Sequence, residues 1–282
     1  MSIKVVSTYT KLFTHPRTVQ PFLVFSRILG PQPWEREKII KDTARIVKKL
    51  IAGRFRNAMW LSRWTFGYYS ESWYKSLFSQ AKSHQISGEI TPAYSILEAN
   101  DIARIKAVNP NIKMIYMIRN PIDRAWSAIR YNISRRKLNI DVISDDEIIS
   151  KLQSRGMILR GDYERTLDNY LRYFDSSQML VCFYDAIQAN PIGLMSSITN
   201  FLDISPFEEN TVNNQTFVNT SPSYEMPTGV KDYLTDTYAP MIKRLAVRFG
   251  SYARIWEKSL NDSKLTTLNT NTESQYIPAI HP

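Results

Sequence analysis

Cysteine, histidine and long apolar runs are scarce in this 282-residue sequence, and each scarcity excludes a class of protein. The one cysteine, Cys182, excludes an intramolecular disulfide and a cysteine-based zinc cluster, and the surrounding MLVCFY predicts a buried structural thiol. The three histidines, His15, His84 and His281, lack the spacing of metal ligands, so we expect no metal. No apolar run approaches the roughly 20 residues of a membrane span. The first residues also lack a signal-peptide core, and we therefore expect a soluble, cytoplasmic protein.

Acidic residues are too few to balance the basic ones: 36 Lys and Arg stand against 26 Asp and Glu, a formal charge of +10. Such an excess favours anionic partners, among them nucleic acid, an acidic membrane surface, a nucleotide cofactor or an anionic glycan. A basic surface without a specific partner is the alternative. Because no nucleic-acid-binding module is recognisable and basic runs such as SRRK at 134–137 are scattered, we expect no nucleic-acid partner.

The middle of the sequence alternates strand and helix patterns. Residues 112–118 and 179–184 are apolar runs of buried-strand length, and helical periodicity follows each of them. Asn120 and Pro121 have the residue types of a helix cap and a first helical turn, which places a helix start directly after the first run. Strands that alternate with helices predict an α/β fold with a mainly parallel sheet.

No repeat and no long linker divides the chain. We therefore predict one domain over residues 1–258, followed by a loose tail at 259–282 that has lost helical periodicity. Residues 34–53 predict a helix, and the Ser-, Asn-, Thr- and Pro-rich residues 205–228 predict a loop. The aromatic-rich stretch 56–80 predicts core packing, with an aromatic wall for a substrate as the alternative.

An arginine stands where the first apolar run ends, in MIYMIRNPIDRAWSAIRY at 114–131. Ligands of α/β proteins bind at the carboxyl ends of strands and at the helix N-termini that follow, so Arg119 is placed to bind a phosphate. Ser127, on the next helix, can add a hydroxyl donor. The alternatives are a structural ion pair for Arg119 and a packing role for Ser127.

The second candidate is Glu89, in SGEITPAYSIL at 87–97. Gly88 opens a turn and Pro92 restricts the backbone, so the carboxylate is presented at a loop. A carboxylate near a phosphate-binding arginine can act as general base toward a substrate hydroxyl or amine. The alternative is a helix-capping glutamate that precedes the run Tyr94, Ile96 and Leu97.

Three stretches together resemble sulfotransferases that use 3′-phosphoadenosine 5′-phosphosulfate. KMIYMIRNPIDRAWSAIRY is similar to the segment that binds the 3′-phosphate of this cofactor. GEITPAY resembles the catalytic-base segment of the heparan-sulfate-type and bacterial branch of the family. RGDYERTLDNYLRYFDSSQMLVCFYDAIQANPIGLMSSITNFLDI, residues 160–204, resembles its downstream part. The resemblance covers about residues 86–256, and the strand–RNP–DRA–S pattern is its most specific part.

The resemblance implies a fold, a cofactor and site residues. The fold is a P-loop-NTPase-like three-layer α/β sandwich with a central, mainly parallel sheet flanked by helices. Arg119 and Ser127 would hold the 3′-phosphate, and Glu89 would take the acceptor's proton as the acceptor oxygen or nitrogen attacks sulfur. The expected partners are the nucleotide cofactor and a glycan or small-molecule acceptor. Relatives with EKT or EKS carry a lysine after this glutamate, where Ile90 stands here.

The sequence departs from the family before LFTHP at 12–16, which resembles the family's Leu-x-x-His-Pro. A phosphate-cradling Lys-x-Gly-Thr-Thr loop is expected there, but MSIKVVSTYTK contains no glycine. Lys4, Ser7 and Thr8 are the candidates to bind the 5′-phosphosulfate in its place. Either the true start lies upstream or this part of the site has degenerated.

The sequence thus predicts a sulfotransferase that acts on a hydroxyl or amine. A catalytically inactive or truncated relative that serves as a binding protein is the first alternative. A basic nucleic-acid-binding protein, suggested by the net charge of +10 and by runs such as SRRK at 134–137, is the second.

Overall fold

The computed structural model describes residues 4–7, 33–67, 70–82, 85–206, 224–261 and 277–282. Internal contacts divide the chain into two compact units, residues 1–94 and 95–282. The single domain expected over residues 1–258 stays a prediction.

Two parallel strands and a set of helices form the described part of the first unit. Strand β1 (Lys4–Ser7) pairs with β2 (Ser87–Ile90), and the register aligns Val6 with Glu89. The helices α1, α2 and α3 and a 3-10 turn span Pro33–Ile51, Phe55–Phe66, Glu71–Phe78 and Pro92–Ile96. The helix predicted over 34–53 is confirmed, and it ends before Gly53, whose φ of 67° suits a residue without a Cβ atom.

Tryptophan rings pack between the helices of this unit. Trp64 stacks on Trp60 with 6.0 Å between ring centroids and on Trp73 with 5.9 Å. The core packing predicted for the aromatic stretch is therefore confirmed for these three rings. Trp73 also lines a cleft of about 480 Å³, together with Phe66, Arg63 and four serines, so part of the stretch borders an open space.

The second unit joins further helices to a three-stranded sheet. Its strands are β3 (Met114–Ile118), β4 (Met179–Phe183) and β5 (Ala279–Ile280). The helices α4 to α12 span, in chain order, Ala99–Val108, Pro121–Arg136, Asp145–Leu152, Arg155–Gly161, Tyr163–Leu171, Ala186–Ala189, Pro191–Leu202, Thr228–Phe249 and Ser251–Asn261. Two 3-10 turns span Ile140–Val142 and Ser176–Gln178.

Strand β4 lies in the middle of this sheet and is buried along its whole length. It pairs in parallel with β3 and antiparallel with β5. The predicted α/β fold with mainly parallel pairing is confirmed. Burial of β3 alternates, however: Ile118 is buried, whereas Ile115 and Met117 stay 41% and 39% exposed. Among the described residues this strand is covered mainly on one face, although its unbroken apolar run predicts a buried strand.

Helix α5 begins where the sequence places it. The Asn120 side chain caps it by accepting a hydrogen bond from the backbone N–H of Ile122 at 3.0 Å, and Pro121 occupies the first turn. Its inner face joins helices α6 and α11 in a core cluster of buried residues: Ala125, Trp126, Ile129, Ile133, Ile148, Leu152, Val230 and Leu234. This packing fixes the helix start directly after β3.

The C-terminal part differs from the loose tail that we expected at 259–282. Residues Ala279 and Ile280 pair with Cys182 and Val181 of β4, so they belong to the sheet. Predictions for Thr8, Tyr68 and Tyr69 and for residues 207–223 and 262–276 fall outside the described residues. Within the described part of the chain, none of the helices is long and apolar enough to cross a membrane.

Candidate functional site

Arg119 lies at the carboxyl end of β3, directly before helix α5. Its guanidinium carbon is 4.9 Å from the centre of the Tyr184 ring, which follows β4. The backbone N–H of Tyr184 donates to the carbonyl of Ile118 at 2.8 Å and extends the pairing of the two strands by one residue. Because the strands are parallel, their carboxyl ends lie at the same edge of the sheet. At this edge the Tyr184 ring packs against the Arg119 guanidinium.

The backbone at Arg119 is held from a third element. Tyr163, at the start of helix α8, donates its hydroxyl to the carbonyl of Arg119 at 2.9 Å. Its ring packs edge-on against Tyr116 of β3, with 6.0 Å between the centroids. Burial raises the pKa of both phenols above the ordinary value, so both hydroxyls stay protonated at neutral pH. The arginine therefore projects from a backbone fixed by β3, α5 and α8.

Two carboxylates share the surroundings of Arg119, and neither was predicted from the sequence. Burial raises the pKa of Asp185, while the Trp256 indole, which donates to Oδ1 at 3.2 Å, and the charge of Arg119 oppose this rise. Asp123, on the first turn of α5, is also within the electrostatic reach of Arg119. The sequence gives little indication that these carboxylates lie near Arg119, because Asp185 comes near it only through the pairing of β3 with β4. The charge of Arg119 lowers the pKa of both carboxylates, but burial has the larger, opposite effect.

Ser127 is half-buried on helix α5. Helical spacing places it on the same face as Asp123, four residues earlier, and Arg130, three residues later. The charges of Arg119 and Arg130 both act on Asp123, which places these groups around this face. The face thus carries a hydroxyl donor and the Arg130 guanidinium, and Arg119 lies directly before the start of the helix. These are residue types that bind phosphate. Arg130 was not among the residues predicted from the sequence, although its spacing of three residues from Ser127 indicates the same helical face.

Glu89 belongs to the first unit, on β2, where it is half-buried. Its Oε1 atom accepts a hydrogen bond from the hydroxyl of Tyr74 at 2.7 Å and another from the hydroxyl of Tyr94. Burial and the charge of Glu89 together raise the pKa of Tyr74 far above the ordinary value. The structure therefore places this carboxylate within a network of hydroxyl donors rather than at a helix cap, the alternative that the sequence left open.

The three N-terminal candidates are less fully described. Lys4 and Ser7 form the two ends of β1, for which the backbone alone is described, and Thr8 lies outside the described residues. A role for these side chains at the 5′-phosphosulfate stays a prediction.

Cys182 is fully buried in β4, and burial raises the pKa of its thiol to about 12. At neutral pH it is a protonated thiol and not a nucleophile, so the predicted structural role is confirmed. Among the described residues, no three histidine, cysteine, aspartate or glutamate side chains gather in the way a metal site requires.

The family model for the sulfotransferase domain matches residues 95–224, which include Arg119, Tyr184 and Ser127. Over this segment the chain is similar to the sulfotransferase family. Glu89 precedes the matched segment of the sulfotransferase domain, so its assignment depends on the GEITPAY pattern and on its own surroundings.

The curated proteins to which this chain is similar are also named as sulfotransferases. Mouse heparan sulfate glucosamine 3-O-sulfotransferase 3B1 is 29% identical over 140 residues, which are 47% of this chain and 35% of that protein. The human bifunctional heparan sulfate N-deacetylase/N-sulfotransferase 2 is 31% identical over 111 residues, 36% of this chain and 12% of that protein. This chain thus aligns with about a third or less of the length of these relatives.

A solved structure, the sulfotransferase from Alicyclobacillus acidocaldarius, matches with a TM-score of 0.47 and 23% identity. The match covers 64% of this chain and 70% of that one.

Proposed function

We propose that this protein transfers a sulfuryl group from 3′-phosphoadenosine 5′-phosphosulfate to a hydroxyl or amine of a glycan or small-molecule acceptor. The observation that carries the proposal is Arg119 at the exit of β3, supported by the Tyr184 ring inside the segment that the sulfotransferase family model matches. The proposed phosphate-binding residues thus lie inside the segment that matches the sulfotransferase domain.

The residues at this edge fit the 3′-phosphate end of the donor. A guanidinium and a hydroxyl beside a helix N-terminus supply donors for phosphate oxygens, and the helix dipole favours the negative charge. Arg119 and Ser127 are assigned to that phosphate, with Arg130 as a further cation on the same helical face. Lys4, Ser7 and Thr8 are proposed for the 5′-phosphosulfate end.

The donor supplies the sulfuryl group and leaves as adenosine 3′,5′-bisphosphate when an acceptor oxygen or nitrogen bonds to its sulfur. Glu89 takes the proton that the acceptor loses, so that the attacking atom does not become positively charged. The cations at the phosphates hold the negative charge of the reacting groups, as in phosphoryl transfer.

A glycan is the acceptor class that the comparisons favour. The names of the curated relatives specify heparan sulfate glucosamine, and the net charge of +10 attracts anionic polymers in general. The cleft in the first unit, with Trp73, Phe66, Arg63 and four serines, has the aromatic, cationic and hydroxyl groups that bind sugars.

Ligand binding tests the cofactor part of this proposal without requiring an acceptor. Adenosine 3′,5′-bisphosphate at millimolar concentration should raise the melting temperature, because it binds the folded state alone. The substitution Arg119→Ala should remove this rise. The matched control Arg136→Ala, an exposed arginine at the other end of α5, should keep it. A wild-type protein whose melting temperature does not respond would contradict the assignment.

Transfer of labelled sulfate to a heparan-type oligosaccharide tests the chemistry. Wild-type protein should label the acceptor, and Glu89→Gln, which keeps the shape of the side chain but not its basicity, should lower kcat by at least about 100-fold. If the wild-type protein binds adenosine 3′,5′-bisphosphate but labels no hydroxyl or amine acceptor, the inactive relative is the correct interpretation.

A further inference from the structure

Two phenol hydroxyls converge on one oxygen of Glu89. Tyr74 donates to Oε1 at 2.7 Å, and Tyr94 donates to the same atom. Hydrogen bonds to a charged acceptor are about twice as strong as bonds between neutral groups. Both donors therefore fix the direction in which this carboxylate points.

The two tyrosines reach Glu89 from separate, anchored elements. Tyr74 lies on helix α3, where its ring packs edge-on against Phe78 with 5.2 Å between the centroids. Tyr94 lies in the 3-10 turn that follows β2, and its backbone N–H donates to the carbonyl of Thr91 at 3.0 Å. A side chain held from two independent elements loses the rotation that an exposed glutamate on a strand would have.

We propose that Tyr74 and Tyr94 are positioning residues of the sulfuryl-transfer reaction, which orient the Glu89 carboxylate so that it can take the acceptor's proton. This inference rests on the function proposed above, and it adds residues that the sequence patterns did not single out for a role. Tyr74 remains a donor throughout the neutral pH range, because its pKa is raised by burial and by Glu89. Neither tyrosine exchanges a proton with the acceptor: the proton moves from the acceptor to Glu89 alone.

The experiment measures kcat and KM for the acceptor in Tyr74→Phe, Tyr94→Phe and the double variant. Phenylalanine keeps the ring and removes only the donor. Each single variant should lower kcat about 5- to 20-fold, since a small displacement of a catalytic group has effects of this order, while KM changes less than about two-fold. Tyr131→Phe, the same substitution at a tyrosine that is 54% exposed on α5, is the matched control and should retain wild-type kcat.

A second series separates positioning from a general loss of structure. In the Glu89→Gln background, the tyrosine substitutions should lower the residual rate less than about two-fold, because residues that act through one group are not additive with it. A further loss comparable to that in the wild-type background would overturn the proposal, as would wild-type kcat in the double variant. A wild-type protein without any transfer activity would instead overturn the proposed function, and this inference with it.

Discussion

The hydroxyl of Tyr163 donates a hydrogen bond of 2.9 Å to the backbone carbonyl of Arg119, 44 residues earlier in the chain. Tyr163 is 2% exposed, so the bond is sheltered from water and the carbonyl has a buried donor. The backbone of Arg119, the residue proposed to bind phosphate, is thus held by a side chain from helix α8.

Tyr163→Phe should weaken this anchor without removing any group that contacts phosphate. Loss of a buried hydrogen bond that leaves its acceptor unsatisfied costs about 1–3 kcal/mol of unfolding free energy. We expect that decrease in chemical denaturation, together with a several-fold weaker affinity for adenosine 3′,5′-bisphosphate in calorimetry. Wild-type affinity at unchanged stability would show that the bond does not position Arg119.

Asp185→Asn should stabilise the protein at neutral pH. The pKa of Asp185 is raised in the folded state, mainly by burial, so the folded state binds this proton more tightly than the unfolded state does. Its contribution therefore becomes less favourable as pH rises from the ordinary aspartate pKa through the raised one. Asparagine removes this cost and keeps an oxygen acceptor for the Trp256 indole.

Urea denaturation of Asp185→Asn over a pH series checks this prediction. The advantage of the variant should be largest near neutral pH and should shrink as pH falls below the ordinary pKa of aspartate. Asp236→Asn, at an exposed position of α11, is the control and should show no comparable trend. A stability difference that is independent of pH would contradict this prediction.

Gly161→Ala should destabilise the end of helix α7. A methyl group on Gly161 would overlap the Tyr238 hydroxyl and come within 2.9 Å of the ring carbon Cζ. The ring is held by α11 and contacts Arg124, whose Nη2 lies 3.5 Å from the hydroxyl. Overpacking of this kind costs about 1–3 kcal/mol.

Replacing the Tyr238 side chain tests whether its overlap with the added methyl group is what destabilises Gly161→Ala. Adding Tyr238→Leu should recover part of the lost unfolding free energy, whereas Tyr238→Leu alone should be destabilising because it creates a cavity. Strictly additive losses in the double variant would show that the two residues do not compete for space.

Cys182 should resist alkylation in the folded protein. It is buried in the central strand, and a pKa of about 12 leaves almost no thiolate at neutral pH. Iodoacetamide should label it only after unfolding by urea, which mass spectrometry can follow. Rapid labelling of the folded state would show that β4 opens readily.

Local signals made much of the second unit predictable. The apolar run before Arg119, the cap at Asn120 and the proline in the first turn define a strand and a helix start within a few residues of one another. The aliphatic spacing after Trp126 likewise indicates the face that is buried. Such features depend on neighbours in sequence, and the structure confirms them.

Features formed by distant residues were not predictable. Tyr184 meets Arg119 only because β3 and β4 pair, and Tyr74 meets Glu89 only because α3 packs beside β2. A carboxylate such as Asp185 shows no periodicity that separates it from a surface aspartate. The pattern around Glu89 therefore predicted a base, but not the tyrosines that hold it.

The pairing of β5 with β4 has a consequence for the order of folding. It joins Val181 to Ile280, on the order of a hundred residues apart, so closing this loop carries a large entropic cost. We expect β5 to dock after β3 and β4 have paired, on the native side of the main barrier. A proline at Ile280 should then leave the refolding rate nearly unchanged and accelerate unfolding. We therefore expect the short last strand to slow the unfolding of the sheet, and stopped-flow measurements can detect this effect.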